Sequence, residues 1–228
     1  MTAGRNAPRS AVIFGATGAV GRHCLDELLA DERYGRVLSI GRRRSGIAHP
    51  KLTEITIELE HLPTIQSSTV GPLDDAFCCL GTTIAAAKTQ DAFRRVDCTF
   101  PTLAARFAKA HGAGQFLIVT ALGADPRSTV FYNRVKGDAE AAVIAEALDC
   151  TAIFRPSLLL AERAEFRWKE KLSEPVLKAL SVVMIGPAAK YRPIAALNVA
   201  RAMVRVAATP KAGTTVYLSD QIAALGAA

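Results

Sequence analysis

The sequence has no apolar run that approaches the roughly 20 residues of a membrane-spanning helix. Residues 1–10 are largely polar, and the four apolar residues that follow are too few for the core of a signal peptide. These absences predict a cytoplasmic protein that has no membrane partner.

Cysteine and histidine are also sparse. The five cysteines are an odd number without C-x-x-C spacing, and the four histidines are scattered along the chain. Neither a disulfide framework nor a metal site is therefore expected. Cys78 and Cys79 lie together in an apolar run, which favours buried structural thiols over redox-active ones.

The chain of 228 residues is half apolar and 21% charged, which excludes disorder and fits a single domain over residues 1–228. Its net charge of +7 is compatible with nucleic acid, a membrane surface or an anionic small molecule as partner. Lysines and arginines are dispersed, and only four tyrosines and one tryptophan are available to stack on bases. Nucleic acid is therefore not expected to be a partner.

Short apolar runs alternate with longer amphipathic stretches. The predicted strands are residues 11–14, 37–40, 52–59, 76–80, 115–120, 151–155 and a late strand near 214–218. The predicted helices are residues 20–29, 90–110 and 131–148, with Pro101 either kinking the second or starting a new helix. Strands that are apolar throughout favour an α/β fold with a doubly wound parallel sheet.

A G-x-x-G-x-x-G turn directly follows the first predicted strand and opens a helix. Gly15 permits a tight turn, Gly18 lets backbone amides approach a pyrophosphate, and Gly21 allows close packing of helix and sheet. The helix terminus adds free amides and a partial positive charge. The turn predicts a dinucleotide-binding core over residues 10–156, although a glycine turn without ligand remains the alternative. Its predicted cofactor contacts are Gly15, Thr17, Gly18, Ala19, Val20 and Gly21.

The second predicted strand lacks the acidic residue that would accept the ribose hydroxyls of NAD. Arg42, Arg43 and Arg44 follow it instead, and Arg22 comes just after the glycine turn. Guanidinium groups match a phosphate, so Arg42 and Arg43 predict a 2′-phosphate site and hence NADP(H) as cofactor. A solvated basic loop is the alternative interpretation.

Tyr132 and Lys136 are four residues apart near the start of a predicted helix, and so lie on one of its faces. A phenol is a poor acid–base group at neutral pH, but a cation one turn away favours the phenolate. The pair follows the fifth strand, whose carboxyl end should border the cofactor cleft. This position favours acid–base chemistry over a surface pair.

The chain resembles the atypical short-chain dehydrogenase/reductases, within them the Tat-interacting-protein-like oxidoreductases. The resemblance extends from residue 12 to about 206, and its motifs are GATGAVG, GRR, CCLGTT, FYNRVKG and FRPS. It implies an NADP(H)-binding Rossmann domain whose residues 157–228 form a small C-terminal substrate-cleft extension, not an independent domain.

The resemblance also implies roles for single residues. Tyr132 would be the catalytic acid/base, Lys136 would hold the nicotinamide ribose, and Thr120 would supply the hydroxyl for which such enzymes commonly use serine. Ser128 is a second candidate for that hydroxyl. The remaining implied cofactor contacts are Leu80, Gly81, Thr82, Arg155 and Pro156.

The function expected from these residues is hydride transfer between NADP(H) and a small carbonyl or alcohol substrate. The alternative is a regulatory or scaffold protein that binds NADP(H) on the same fold without catalysis. A homo-oligomer is possible, but nothing in the sequence indicates one.

Overall fold

The computed structural model describes residues 8–160 and 191–227, and a seven-stranded sheet forms its centre. The strands of this sheet are β1 (Arg9–Phe14), β2 (Tyr34–Gly41), β3 (Leu52–Thr56), β4 (Asp75–Cys78), β5 (Gln115–Val119), β6 (Cys150–Arg155) and β9 (Gly213–Leu218). Their order is β3-β2-β1-β4-β5-β6-β9, and every neighbouring pair is parallel. The predicted doubly wound α/β fold is confirmed.

The described helices are α1 (Ala19–Ala30), α2 (Ser67–Val70), α3 (Ile84–Ala87), α4 (Gln90–Arg94), α5 (Phe100–Ala110), α6 (Phe131–Ala145), α7 (Ala196–Ala208) and α8 (Ser219–Ala227). A 3₁₀ segment covers Leu59–Thr64, and a π segment, Arg95–Thr99, joins α4 to α5. In the described part of the chain, no helix is long and apolar enough to cross a bilayer.

Both faces of the sheet are covered, because neighbouring residues of a strand point to opposite sides. In β1, Ile13 belongs to the core beneath α1 and α7, whereas Phe14 belongs to the core beneath α5. The Phe14 ring meets the Phe107 ring edge to face, with centroids 5.9 Å apart. Burial on both sides explains why the central strands are apolar at successive positions.

Two predicted elements end three residues earlier in the structure than the sequence indicated. The strand predicted over residues 52–59 ends at Thr56, and Leu59 and Leu62 of the following 3₁₀ segment are buried instead. The apolar pattern therefore extends beyond the edge strand β3 into the 3₁₀ segment, which also covers the core. The helix predicted over residues 131–148 ends at Ala145, shortly before Ala147 adopts a φ of +51°.

The helical stretch around Pro101 is divided into three parts. Pro101 lies in the first turn of α5, where a missing amide hydrogen is tolerated. Because proline cannot donate to the carbonyl four residues earlier, the α-helical pattern is interrupted there, and the preceding turn is the π segment. This wider turn carries the buried side chain of Asp97.

The C-terminal segment also contributes to the hydrophobic core and to the central sheet. Short strands β7 (Leu159–Leu160) and β8 (Ile194–Ala195) pair in parallel as a separate two-stranded sheet. Beyond them, α7 packs against α1, and β9 adds the edge strand beside β6. Residues 161–190 of this segment lie outside the described residues.

Candidate functional site

The glycine turn has no space for a side chain at Gly15 or at Gly21. Gly15 has a φ of +84°, and a Cβ added to it would lie 2.7 Å from the carbonyl oxygen of Cys79. A Cβ on Gly21 would lie 2.0 Å from the carbonyl oxygen of Gly15. Gly18 precedes α1, no side chain caps this helix, and its first turn has no acidic residue. The turn therefore presents an uncapped, electropositive helix terminus to the cleft.

One end of the cleft lies between this turn and the end of β2. Thr17, Arg42 and Arg43 are among the residues that line a cavity of about 120 Å³ there. Arg43 Nη2 is 3.4 Å from Thr17 Oγ1, whereas Arg44 pairs with Glu54 at 3.4 Å. Two of the three consecutive arginines thus face the cavity, and the third is held by the neighbouring strand. We call this the adenosine end.

The other end lies over the carboxyl ends of β4, β5 and β6. Its cavity of about 410 Å³ is lined by residues that include Val20, Thr120, Tyr132, Lys136 and Pro156. The two cavities share four lining residues and therefore adjoin each other as two parts of the cleft. The shared residues are Gly18, Cys79, Leu80 and Gly81. We call this second part the catalytic end.

Tyr132 and Lys136 both line the catalytic end, from the first two turns of α6. The Tyr132 ring packs on Phe93 of α4, with ring centroids 5.5 Å apart. Lys136 is only 5% exposed, and its Nζ lies 2.7 Å from Oδ1 of Asp97. The structure therefore brings the predicted pair together in one cavity and adds a carboxylate to it.

Asp97 was not among the residues expected from the sequence. It is 1% exposed, and its second oxygen, Oδ2, accepts a hydrogen bond from the amide of Thr82 at 2.9 Å. A single aspartate within a helical stretch carries no motif. The one available signal was an acidic residue near a proline in an otherwise amphipathic helix.

Thr120 has a hydrogen-bond partner that the sequence did not predict. It lines the cavity, but its hydroxyl donates to Glu140 Oε1 at 2.6 Å, so its single proton is already bound. Arg155 has an unpredicted partner as well, because its Nε donates to the same carboxylate at 3.0 Å, and it is not among the residues lining the cleft. The hydrogen bond with Glu140 raises the pKa of the Arg155 guanidinium. Thr120 and Arg155 therefore both hydrogen-bond to the same buried carboxylate, that of Glu140.

Ser128 lies in the loop before α6 rather than in the cleft lining. Its Oγ accepts a hydrogen bond from the Val130 amide at 3.2 Å and so supports the approach to the helix. The loop does not fold back to bring this hydroxyl to the cavity.

The neighbouring thiols fit a structural role. Burial raises the pKa of the Cys78 thiol to about 12. A hydrogen bond with Cys24, together with burial, raises the pKa of Cys79. All five cysteines are free, and the described residues hold no cluster suited to a metal ion.

Comparison with known proteins gives clear relatives, although no family model matches the chain. The rat protein HTATIP2 is 32% identical over 220 residues, which cover 93% of this chain and 87% of that protein. The mitochondrial protein FMP52-1 of Scheffersomyces stipitis is 35% identical over 173 residues, covering 75% of this chain and 76% of that protein.

Solved structures share the fold at low identity. MoeE5 in complex with UDP-glucose and NAD superposes with a TM-score of 0.67 and 15% identity, covering 96% of this chain and 81% of that chain. The Bordetella bronchiseptica enzyme WbmH in complex with NAD⁺ has a TM-score of 0.67 and 17% identity, covering 93% of this chain and 76% of that chain.

Fold and relatives together define the class as the short-chain dehydrogenase/reductases, a family of oxidoreductases on the NAD(P)-binding Rossmann fold. Within this class, the chain belongs to the atypical Tat-interacting-protein-like group that includes HTATIP2 and FMP52.

The expectation of a cytoplasmic protein is wrong by this comparison. The FMP52 relatives from Scheffersomyces stipitis, Emericella nidulans and Aspergillus niger are mitochondrial by name. The absence of apolar runs concerns membrane-spanning helices and does not indicate a compartment. Mitochondrial transit peptides are amphipathic and rich in arginine, so this absence does not bear on them.

Proposed function

We propose that the protein is an NADP(H)-dependent oxidoreductase that transfers hydride to or from a small carbonyl or alcohol substrate. The observation that carries the proposal is the cleft formed by the two adjoining cavities. Arg42 and Arg43 stand at one end of it, the backbone-only glycine turn lies beside them, and Tyr132 and Lys136 stand at the other end.

A nicotinamide dinucleotide fits the residues that are present. The turn at Gly15 and Gly21 leaves no space for side chains, and the uncapped start of α1 would receive the pyrophosphate. Leu80, Gly81 and Thr82 follow β4 along the floor of the cleft and would line the bound cofactor. Pro156 would border the nicotinamide. Arg155, the residue before it, would support the site through its hydrogen bond to Glu140 and would not contact the cofactor directly.

The arginines support NADP(H) over NAD(H). Arg42 and Arg43 are exposed and line the adenosine end, where a 2′-phosphate would need cationic partners. Among the residues that the structure describes, no carboxylate is paired with either of them, whereas Arg44 is paired with Glu54.

The bound nicotinamide would supply or accept the hydride. Tyr132 would then give its proton to the developing alkoxide in the reduction, or take it from the alcohol in the reverse direction. Lys136 would favour the phenolate form and hold the ribose through its ammonium group. Thr120 would bind the substrate oxygen more weakly than a free hydroxyl would, because its proton is already donated to Glu140.

Replacement of Tyr132 by Phe tests the proposal. The wild type is expected to oxidise NADPH with members of a panel of aldehydes, ketones and quinones. Tyr132→Phe should bind NADPH as the wild type does, but lose turnover by at least about 100-fold, since the proton donor is gone. NADPH binding is measured by fluorescence titration, and turnover by NADPH absorbance.

Tyr191→Phe is the matched control, because Tyr191 is 56% exposed and is not among the residues lining the cleft. It should leave both quantities unchanged. Unchanged turnover in Tyr132→Phe would reject the acid–base assignment. A wild type that binds NADPH but reduces no member of the panel would favour the non-catalytic regulator.

A further inference from the structure

The catalytic end of the cleft is lined in large part by aliphatic side chains. They come from the start of α1, from the end of β5 and from the segment that follows β6. Among them are Ala19, Val20, Val119, Ala121, Leu158 and Leu159. Walls of this kind bind the apolar part of a ligand, while a few polar groups fix its orientation.

The two charged residues among the described lining residues pair with each other. Lys136 Nζ lies 2.7 Å from Asp97 Oδ1, and both side chains are almost completely buried. A carboxylate or phosphate placed here would meet no unpaired cation among these lining residues, and burial of a charge without a partner is costly. The charges at this end therefore favour an uncharged substrate.

The hydroxyl groups of the lining residues are also largely engaged. Five of the described lining residues carry a hydroxyl group. Four of these groups form hydrogen bonds within the protein, those of Thr82, Thr83, Thr120 and Ser157. Within the described part of the chain, the fifth, that of Tyr132, has only ring contacts. The site thus offers one free hydroxyl group to one polar atom of a substrate.

The most exposed aliphatic side chains of the described residues belong to segments that line this end. Leu158 is 57% exposed, Val130 is 55% exposed and Ile84 is 48% exposed. Leu158 lines the cavity itself, Ile84 directly follows the lining residue Thr83, and Val130 is the N-cap residue of α6, two residues before Tyr132. Single exposed apolar residues are common, but several beside one cleft are typical of a ligand-binding surface.

The size of the cavity indicates how these residues are used. Its volume of about 410 Å³ must hold the nicotinamide as well as the reacting group of the substrate. This volume is near the lower end of the roughly 300–1,000 Å³ that small-molecule sites enclose. A longer substrate must therefore extend out of the cavity past Leu158.

We propose that the substrate is an uncharged carbonyl or alcohol compound with an extended hydrocarbon body. Its oxygen meets the Tyr132 hydroxyl, and its hydrocarbon body lies against Leu158 and Ile84 at the mouth of the cavity. The inference rests on the proposed function, because it names the substrate class of the same cleft.

Amides that cannot be reduced test the substrate class without requiring turnover. Butanamide and octanamide both present an uncharged carbonyl group, and they differ by four methylene groups. Each buried methylene should tighten binding by about two- to fourfold, so octanamide should bind about 16-fold more tightly or better. Succinamate, which adds a carboxylate to the short amide, should bind about tenfold more weakly than butanamide. Isothermal titration calorimetry of the protein with NADPH gives the three dissociation constants.

Variants at the mouth test where the hydrocarbon lies. Leu158→Ser and Ile84→Ser each remove aliphatic surface, so each should lower the preference for octanamide over butanamide by about fivefold. Ile144→Ser is the matched control, because Ile144 is 42% exposed in the last turn of α6 and is not among the residues lining the cleft. It should leave the preference unchanged. All three positions are exposed, and thermal unfolding checks that the variants fold.

Equal binding of the two amides by the wild type, or tighter binding of succinamate than of butanamide, would overturn the inference. A preference that stays unchanged in both mouth variants, or that falls equally in Ile144→Ser, would also overturn it. A chain that prefers octanamide but reduces no aldehyde, ketone or quinone would support the inference and reject the proposed function. Turnover by a chain that binds both amides equally would do the reverse.

Discussion

The two ends of the cleft are built in different ways. At the adenosine end, residues 15–21 are consecutive, and their close contacts are made by backbone atoms. At the catalytic end, the lining residues Thr82, Asp97, Tyr132 and Lys136 come from three separate segments. The side chains of Asp97 and Lys136 contact each other, and Asp97 also accepts a hydrogen bond from the Thr82 amide. The first end is therefore visible as a motif, whereas the second exists only when the chain is folded.

Charge is also handled differently at the two ends. Arg42 and Arg43 are exposed, where a charge is well solvated and costs little. Lys136 is buried, where a charge needs a partner, and Asp97 supplies one. An exposed cation remains available to a ligand, whereas the buried one is already engaged within the protein.

The largest expected effects come from one glycine at each end. A Cβ on Gly21 would meet the Gly15 carbonyl oxygen at 2.0 Å, and a Cβ on Gly137 would meet the Pro126 nitrogen at 2.2 Å. Each alanine variant should lose about 3 kcal/mol of unfolding free energy through overpacking. Gly21→Ala should abolish NADPH binding, whereas Gly137→Ala should displace α6 and reduce turnover more than binding.

Urea unfolding and NADPH titration measure these effects. Gly114→Ala is the control, because its Cβ would have only an ordinary contact, 3.8 Å from Asp149 Oδ2. Equal losses of NADPH affinity in Gly21→Ala and Gly137→Ala would remove the distinction between the two ends.

An intermediate effect is expected from the exposed arginines. Arg42→Ala/Arg43→Ala should weaken NADPH binding by about 10- to 100-fold and leave NADH binding nearly unchanged, because only NADPH carries the 2′-phosphate. Binding of both coenzymes is compared by fluorescence titration. Arg44→Ala, which loses only the exposed pair with Glu54, should change neither. Equal weakening for both coenzymes would contradict the NADP(H) assignment.

The smallest effect is expected at Thr120. Its hydroxyl donates to Glu140, which Arg155 also holds, so Thr120→Val should leave the network largely in place. Turnover should then fall by less than about tenfold, against the loss of about 100-fold expected for Tyr132→Phe. Thr120→Ser should behave as the wild type does. A Thr120→Val loss as large as that of Tyr132→Phe would restore Thr120 as a direct donor to substrate.

Two of the predicted site residues have a hydrogen-bond partner that the sequence did not reveal. The family resemblance implied that Arg155 contacts the cofactor and that Thr120 supplies the catalytic hydroxyl. Both side chains hydrogen-bond to Glu140, which lies on α6 one helical turn after Lys136. A strand end shows which residues are near the cleft, but the partner that captures a side chain is separated from it in sequence.

By itself, the sequence determined the parallel sheet, the glycine turn and the positions of Tyr132 and Lys136, because each depends on residues that are adjacent or one helical turn apart. Tertiary structure alone decided that Asp97 holds Lys136, that Glu140 holds Thr120, and that α7 and β9 complete the domain core and sheet. A buried charge selects its partner by proximity in the folded chain, and no local pattern records that proximity.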